Sequence, residues 1–156
     1  MDINHLTQIL IDNRLLRSQE EVSEFEHAIS SILDLKDLNH IRNLCLGFHD
    51  ATEHDEIMFG LIHAIESYDD LFGSEQSLKE LAQSLPLMLP HAKEWAKTLH
   101  KRILNHDPSR KIYSKVISEG DVNIRIIVLQ LVNEIKERNP KRFKASVDEF
   151  VAYVSK

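Results

Sequence analysis

The sequence predicts an all-α chain, and three observations carry that prediction. Apolar residues recur at three- and four-residue intervals along nearly the whole length, the period of a helix face rather than the alternation of a strand. Only four Gly and four Pro are spread over 156 residues, too few for long loops or the turns of a β-sheet. The most apolar stretch, VNIRIIVLQLVNEIKER from Val122 to Arg138, continues past the length of an ordinary strand without a turn residue.

Each element follows from its own punctuation. A first helix is expected near residues 2–16. Ser18 with Glu21 three residues later has the form of a capping box and opens a helix over 18–34, on which Val22, Phe25, Ile29, Ile32 and Leu33 make one apolar face. Asp37 caps the next segment, which carries Leu38, Ile41, Leu44 and Cys45 until Gly47 stops it. Thr52, with Asp55 at the third helical position, opens a helix that ends near Asp70 to Gly73; its first turn holds Glu53, Asp55 and Glu56, where carboxylates suit the positive end of the macrodipole. Ser74 begins a shorter helix closed by Pro86, and Pro90 suits the first turn of HAKEWAKTLHKRIL. After a break at Asp107-Pro108, PSRKIYSKVISEG ends at Gly120 and Asp121 caps the apolar stretch. Ile124, Ile126, Ile127 and Val128 would suit a buried strand, but the run keeps helical spacing through Leu131, Val132 and Ile135. Asn139-Pro140 leads into the terminal helix KRFKASVDEFVAYV. Eight or nine short helices joined by tight turns are expected to pack as antiparallel hairpins, in a compact bundle or a curved HEAT-like stack; no internal repeat is visible in the sequence.

A length of 156 residues suits one domain over 1–156 with a core that needs no disulfide or structural metal. The single cysteine, Cys45, lies in the apolar run LCLGF and is expected to fill core space. The N-terminal MDINHLTQIL lacks the basic start and unbroken apolar stretch of a secretory signal, and no segment approaches the roughly 20 apolar residues of a membrane span, so a cytoplasmic location is expected.

The net charge of −6 conceals a division. Residues 1–80 hold 17 Asp/Glu against 5 Lys/Arg, whereas residues 81–156 hold 8 against 14. The acidic part repels nucleic acid and anionic membranes, and its field, screened beyond about 8 Å at physiological salt, acts on a cationic partner at close range. The basic residues Lys93, Lys97, Lys101, Arg102, Arg110, Lys111 and Lys115 are scattered and lack an aromatic stacking platform, which argues against nucleic-acid binding; they are expected to pair with the acidic half.

The negative charge is densest in HDATEHDEIMFGLIHAIESYDDLFG, residues 49–73, with three histidines and seven carboxylates. At 100° per residue, Ile57, Leu61, Ala64, Ile65 and Tyr68 share a core side bordered by Met58 and Ile62, while Glu56, Phe59, His63, Glu66 and Asp70 fall opposite. The second group reads either as a solvated face with one stray aromatic or as a contact surface with an apolar anchor among carboxylates. Metal chemistry fits less well. His49-Asp50 and His54-Asp55 match the doublet of an all-helical metal-dependent HD phosphohydrolase, but the first falls in a loop, the second has no partner histidine one turn on, and His63-x-x-Glu66 reverses the order of di-iron bundles. No nucleophile elbow, phosphate-cradling Gly-rich loop or Cys/His signature is present. A non-enzymatic protein without cofactor or metal is expected.

Two blocks, LCLGFHDATEHDEIMFGLIHAIE from Leu44 to Glu66 and LPLMLPHAKEWAKTLHKRILN from Leu85 to Asn105, together resemble the Immunity protein 30 family of bacterial polymorphic-toxin systems. The likeness rests on an acidic turn before an "MF-x-L-I-H-x-I-E" helix and a later "A-x-E-W-A-x-x-L-x-x-R-I-L-N" helix. It implies a small cytosolic helical protein, encoded beside a toxin, that binds and neutralises it. Trp95 reads as core packing, and Arg102 with Asn105 as buried or helix-end hydrogen bonding. The residues expected to meet the partner are Asp50, Glu53, Asp55, Glu56, Phe59, His63, Glu66, Asp69 and Asp70. The partner expected is a cognate toxin of basic character; nucleases are the class most in need of such charge, since they must hold a polyanion. A helical-repeat adaptor that binds another protein or peptide is the alternative.

Overall fold

The computed structural model describes residues 2–156, and among these the secondary structure is helical throughout, with no strand. Eight helices of 11 to 17 residues and two of five residues follow in order: α1 (Ile3–Asn13), α2 (Gln19–Asp34), α3 (Ile41–Cys45), α4 (Asp55–Glu66), α5 (Tyr68–Phe72), α6 (Ser74–Ser84), α7 (Lys93–Leu104), α8 (Asp107–Glu119), α9 (Val122–Arg138) and α10 (Pro140–Val154). Short 3-10 turns at Leu38–His40 and Leu85–Met88 precede α3 and follow α6. The chain divides into two compact units, residues 1–95 and 96–156, with the division one turn inside α7.

Several helix starts arise from local hydrogen bonds readable in the sequence. Asp2 caps α1 by accepting from the His5 amide at 3.0 Å, and Ser18 caps α2 by accepting from the Glu21 amide at 3.1 Å. Glu21 completes the box one residue further out than its usual form: it accepts from the Arg17 amide at 2.8 Å and holds the Arg17 guanidinium at 2.8 Å. Asp121 accepts from Asn123 and Ile124 at the head of α9, and Asn139 accepts from Arg142 at the head of α10, with Pro140 at its first position. The β-branched run of α9 is helical, as its length requires.

Three starts differ from the expectation. The segment after Asp37 divides into a 3-10 turn, capped by Asp37 on the Asn39 amide, and the short α3. Thr52 does not cap α4; the helix opens at Asp55 behind His54, and the Thr52 hydroxyl is buried without a hydrogen-bond partner. Pro90 lies three residues before α7 and follows a cis peptide bond from Leu89.

In the first unit α1 packs on α2, α3 on α6, and α2 on α4, around Leu10, Phe25, Ile32, Ile41, Leu44, Phe48, Met58 and Leu61, all fully buried. Cys45 lies in this core, and burial pushes its thiol up to about 12, so it is a packing residue. Gly47 lets the chain pass close to α1 and α4: a Cβ there would stand 2.7 Å from Leu10 Cδ2 and 3.0 Å from Leu61 Cδ2. Gly47→Ala is therefore expected to cost about 1–3 kcal/mol through overpacking, read as a lower urea midpoint at unchanged slope. In the second unit α8, α9 and α10 pack on one another, with Tyr113 stacked on Phe150 at 5.8 Å. The Arg125 guanidinium reaches back to the Ser118 carbonyl at 2.9 Å and closes the open end of α8.

Candidate functional site

The predicted acidic face lies on α4 and α5, and the structure fixes which way it turns. Met58, Leu61, Ile62, Ala64 and Ile65 are the buried residues of α4, while Ile57 is half-buried. The core side is thus rotated toward Met58 and Ile62, which the helical wheel placed only at its border. The outward face consists of Asp55, Glu56, Phe59, Gly60 and His63, all exposed, with Glu66 half-buried at the margin. Asp55 and Glu56 occupy the first turn, where the free amides of the helix start favour their charge. The helix breaks at Ser67, whose hydroxyl donates to the Ala64 carbonyl at 2.6 Å, and α5 then carries Asp70 and Leu71 to the surface until Gly73, at φ +85°, ends it.

Asp50 and Asp69, both among the expected carboxylates, are engaged inside the molecule. Asp50 accepts from the Glu94 and Trp95 amides at 3.1 and 3.3 Å, and its own amide donates to the His91 carbonyl at 2.9 Å. It therefore caps α7 from 44 residues away in sequence, a role typically worth about 1 kcal/mol. Asp69 accepts from the buried Ser77 hydroxyl and ties α5 to α6. Glu53 is exposed in the turn before α4, with its amide donating to the Leu15 carbonyl at 2.8 Å.

Phe59, the expected apolar anchor, is 36% exposed, and its ring meets Trp95 edge-on at 5.4 Å. Trp95 is itself buried and stacks on Phe48 at 6.1 Å. The anchor is thus held in place from behind by an aromatic stack that reaches the core, which joins the two sequence blocks in space. This contact was not visible in either block alone; the only signal was that both occur in one chain. Arg102 and Asn105, read as buried or helix-end groups, are exposed, and Asn105 bonds through its amide to the Lys101 carbonyl at the end of α7.

The histidines and lysines occupy settings that the sequence did not indicate. His49 and His91 lie 5.6 Å apart with tilted rings; the Ala51 amide donates to His49 Nδ1 at 3.0 Å, and burial, with Arg14 next, holds His91 below the usual imidazole range. Among the described residues no group of three or more His, Cys, Asp or Glu is arranged to hold a metal ion. Asp50 of the first HD doublet faces the start of α7, and Asp55 of the second opens α4. Lys97 and Arg110 are buried, and they pair with Glu134 at 3.5 Å and with Asp107 and Glu149 at 2.8 and 3.2 Å. These acids belong to the basic half, not to the acidic half that was expected to supply them. The charge division coincides with the structural one: residues 1–95 hold 18 Asp/Glu against 6 Lys/Arg, and residues 96–156 hold 7 against 13.

The family model described as Immunity protein 30 matches residues 12–113, about two thirds of the chain, and this span includes both sequence blocks, the whole acidic face and the aromatic stack. The chain belongs to the Immunity protein 30 family. Membership gives this Immunity protein 30 chain an immunity role in general terms and suggests a non-enzymatic one, with a cognate toxin as the partner that such a role implies. The match ends inside α8, so α9 and α10 lie beyond the part of the chain that the family model describes. No curated protein and no solved structure matches the chain. Among the described residues no helix is long and apolar enough to cross a membrane.

Proposed function

We propose that this immunity protein binds and neutralises a cationic toxin through the outward face of α4 and α5, covering the toxin's active site or a surface beside it. The observation that carries this reading is Phe59, held against Trp95 and flanked by Asp55 and Glu56, on a unit of net charge −12. The carboxylates raise the encounter rate with a basic surface, and the fixed aromatic, once desolvated, slows escape. Glu53, His63, Glu66 and Asp70 extend the contact along the same side. Asp50 and Asp69 act indirectly, by fixing α7 and α5. A nuclease toxin fits this chemistry best, because an enzyme that holds a polyanion must itself be basic.

The test is co-expression with the product of the adjoining reading frame, scored by growth rescue, followed by binding kinetics on the purified pair. Replacing Glu56 and Asp70 together by Lys is expected to slow association about tenfold or more at low salt and to flatten its salt dependence. An association rate equal to that of the wild type at low salt would remove this face from the interface. A neighbouring product that binds the chain but does not impair growth when expressed alone would favour the adaptor reading instead.

A further inference from the structure

Gly60 is the one glycine of the first unit that the fold does not ask for. Gly47 admits no Cβ because Leu10 and Leu61 close on it, and Gly73 has a φ of +85° that side chains rarely adopt. At Gly60 a Cβ would meet nothing within 4 Å, and the position lies exposed in the interior of α4. An alanine there would favour the helix over glycine, so the missing side chain weakens the free protein with no packing gained in return. Its neighbours on adjoining turns are Glu56, four residues before, and His63, three residues after, with Phe59 beside it; all three are exposed. The result is a bare strip of helix backbone bounded by a carboxylate, an imidazole and a fixed aromatic ring.

We propose that Gly60 forms a slot that seats one lysine or arginine side chain of the partner, a deepening that rests on the toxin-binding reading above. The methylene stem of such a side chain lies over the uncovered backbone and against Phe59, and its charged head meets the Glu56 carboxylate. The charge of the surrounding unit selects a cation for this slot, and the stem accounts for the absent Cβ. A partner that used charge alone would gain nothing from a glycine at this place.

The experiment uses the full chain and the protein of the adjoining reading frame. Gly60→Ala is expected to raise the melting temperature of the free protein by about 2–4 °C; a fall would mean that the fold itself needs the glycine, and would overturn the slot. Gly60→Gln keeps the net charge and suits a helix, so association should stay within about twofold of wild type, while dissociation accelerates about tenfold or more. Glu56→Gln should accelerate dissociation as well, and the double variant should fall well short of the product of the two effects, because both remove the same partner side chain. Wild-type dissociation in Gly60→Gln, or a multiplicative double variant, overturns the slot while leaving the toxin-binding face intact. Absence of any complex with the wild-type chain overturns both.

Discussion

Trp95→Ala is expected to lower the unfolding free energy by about 3–5 kcal/mol, a large part of the roughly 5–15 kcal/mol that holds a typical domain together. Trp95 is 7% exposed, its ring lies against both Phe48 and Phe59, and its amide is one of the two that Asp50 caps. Removing the indole leaves a cavity that these neighbours fill only in part, while the capped amide remains. The loss should appear in urea unfolding followed by circular dichroism, since the chain contains no second tryptophan to report by fluorescence. Trp95→Phe, which keeps a ring between the two phenylalanines, should lose less than half as much. A cost below about 1 kcal/mol for Trp95→Ala would mean that the stack does not support this part of the core. Under the proposed toxin contact, where Phe59 is the anchor and loses its backing, the variant should also release the toxin faster than wild type under conditions where both are folded.

Acid should destabilise the protein before most of its carboxylates protonate, and His100 is the main reason. The ring is buried, its Nδ1 lies 2.7 Å from the Ala96 carbonyl, and its Nε2 lies 2.7 Å from the Tyr113 hydroxyl. A carbonyl only accepts, so Nδ1 carries the proton and Nε2 accepts from tyrosine; the imidazole is neutral in a fixed tautomer. Burial first, partly opposed by the Ala96 carbonyl, brings its pKa down to about 4 from an ordinary 6.5. The unfolded chain thus binds a proton between these values that the folded chain refuses. The stability contributed by the neutral ring is complete above pH 6.5 and is lost as pH falls toward 4, at up to 1.4 kcal/mol per unit and roughly 3 kcal/mol in all. His91, also held low by its burial, adds a change of the same sign. Glu21 and Asp148 are held low by Arg17 and by Lys136 with Lys144, and they act only at more acidic pH. Urea midpoints measured from pH 7 to pH 4.5 should fall steeply for wild type and much less for His100→Gln, whose side chain does not titrate. Equal slopes for the two proteins would mean that His100 is not the group that responds.

The legible part of this molecule was its local part. Ser18, Asp121 and Asn139 cap helices that begin within three residues of them, and a hydrogen bond across so short a span depends on residue type and spacing alone. The acidic face of α4 was legible for a similar reason, since an α-helix repeats its directions every 3.6 residues wherever it is placed. What such a repeat leaves open is rotation: burial of Met58 and Ile62 turned the helix so that Glu66 went to the margin and Gly60 came to the surface.

Sequence alone determined that this chain would be helical, where several of its helices begin, and that one helix would carry carboxylates around a phenylalanine, because all of these rest on contacts between residues a turn or less apart. Only the tertiary structure decided that Asp50 caps α7, that Asp69 ties α5 to α6, that Phe59 stands against Trp95, and that Gly47 is required by packing while Gly60 is not. Those assignments depend on which surfaces meet after the chain has folded, and that is settled by the summed burial of the whole core rather than by any short segment of it.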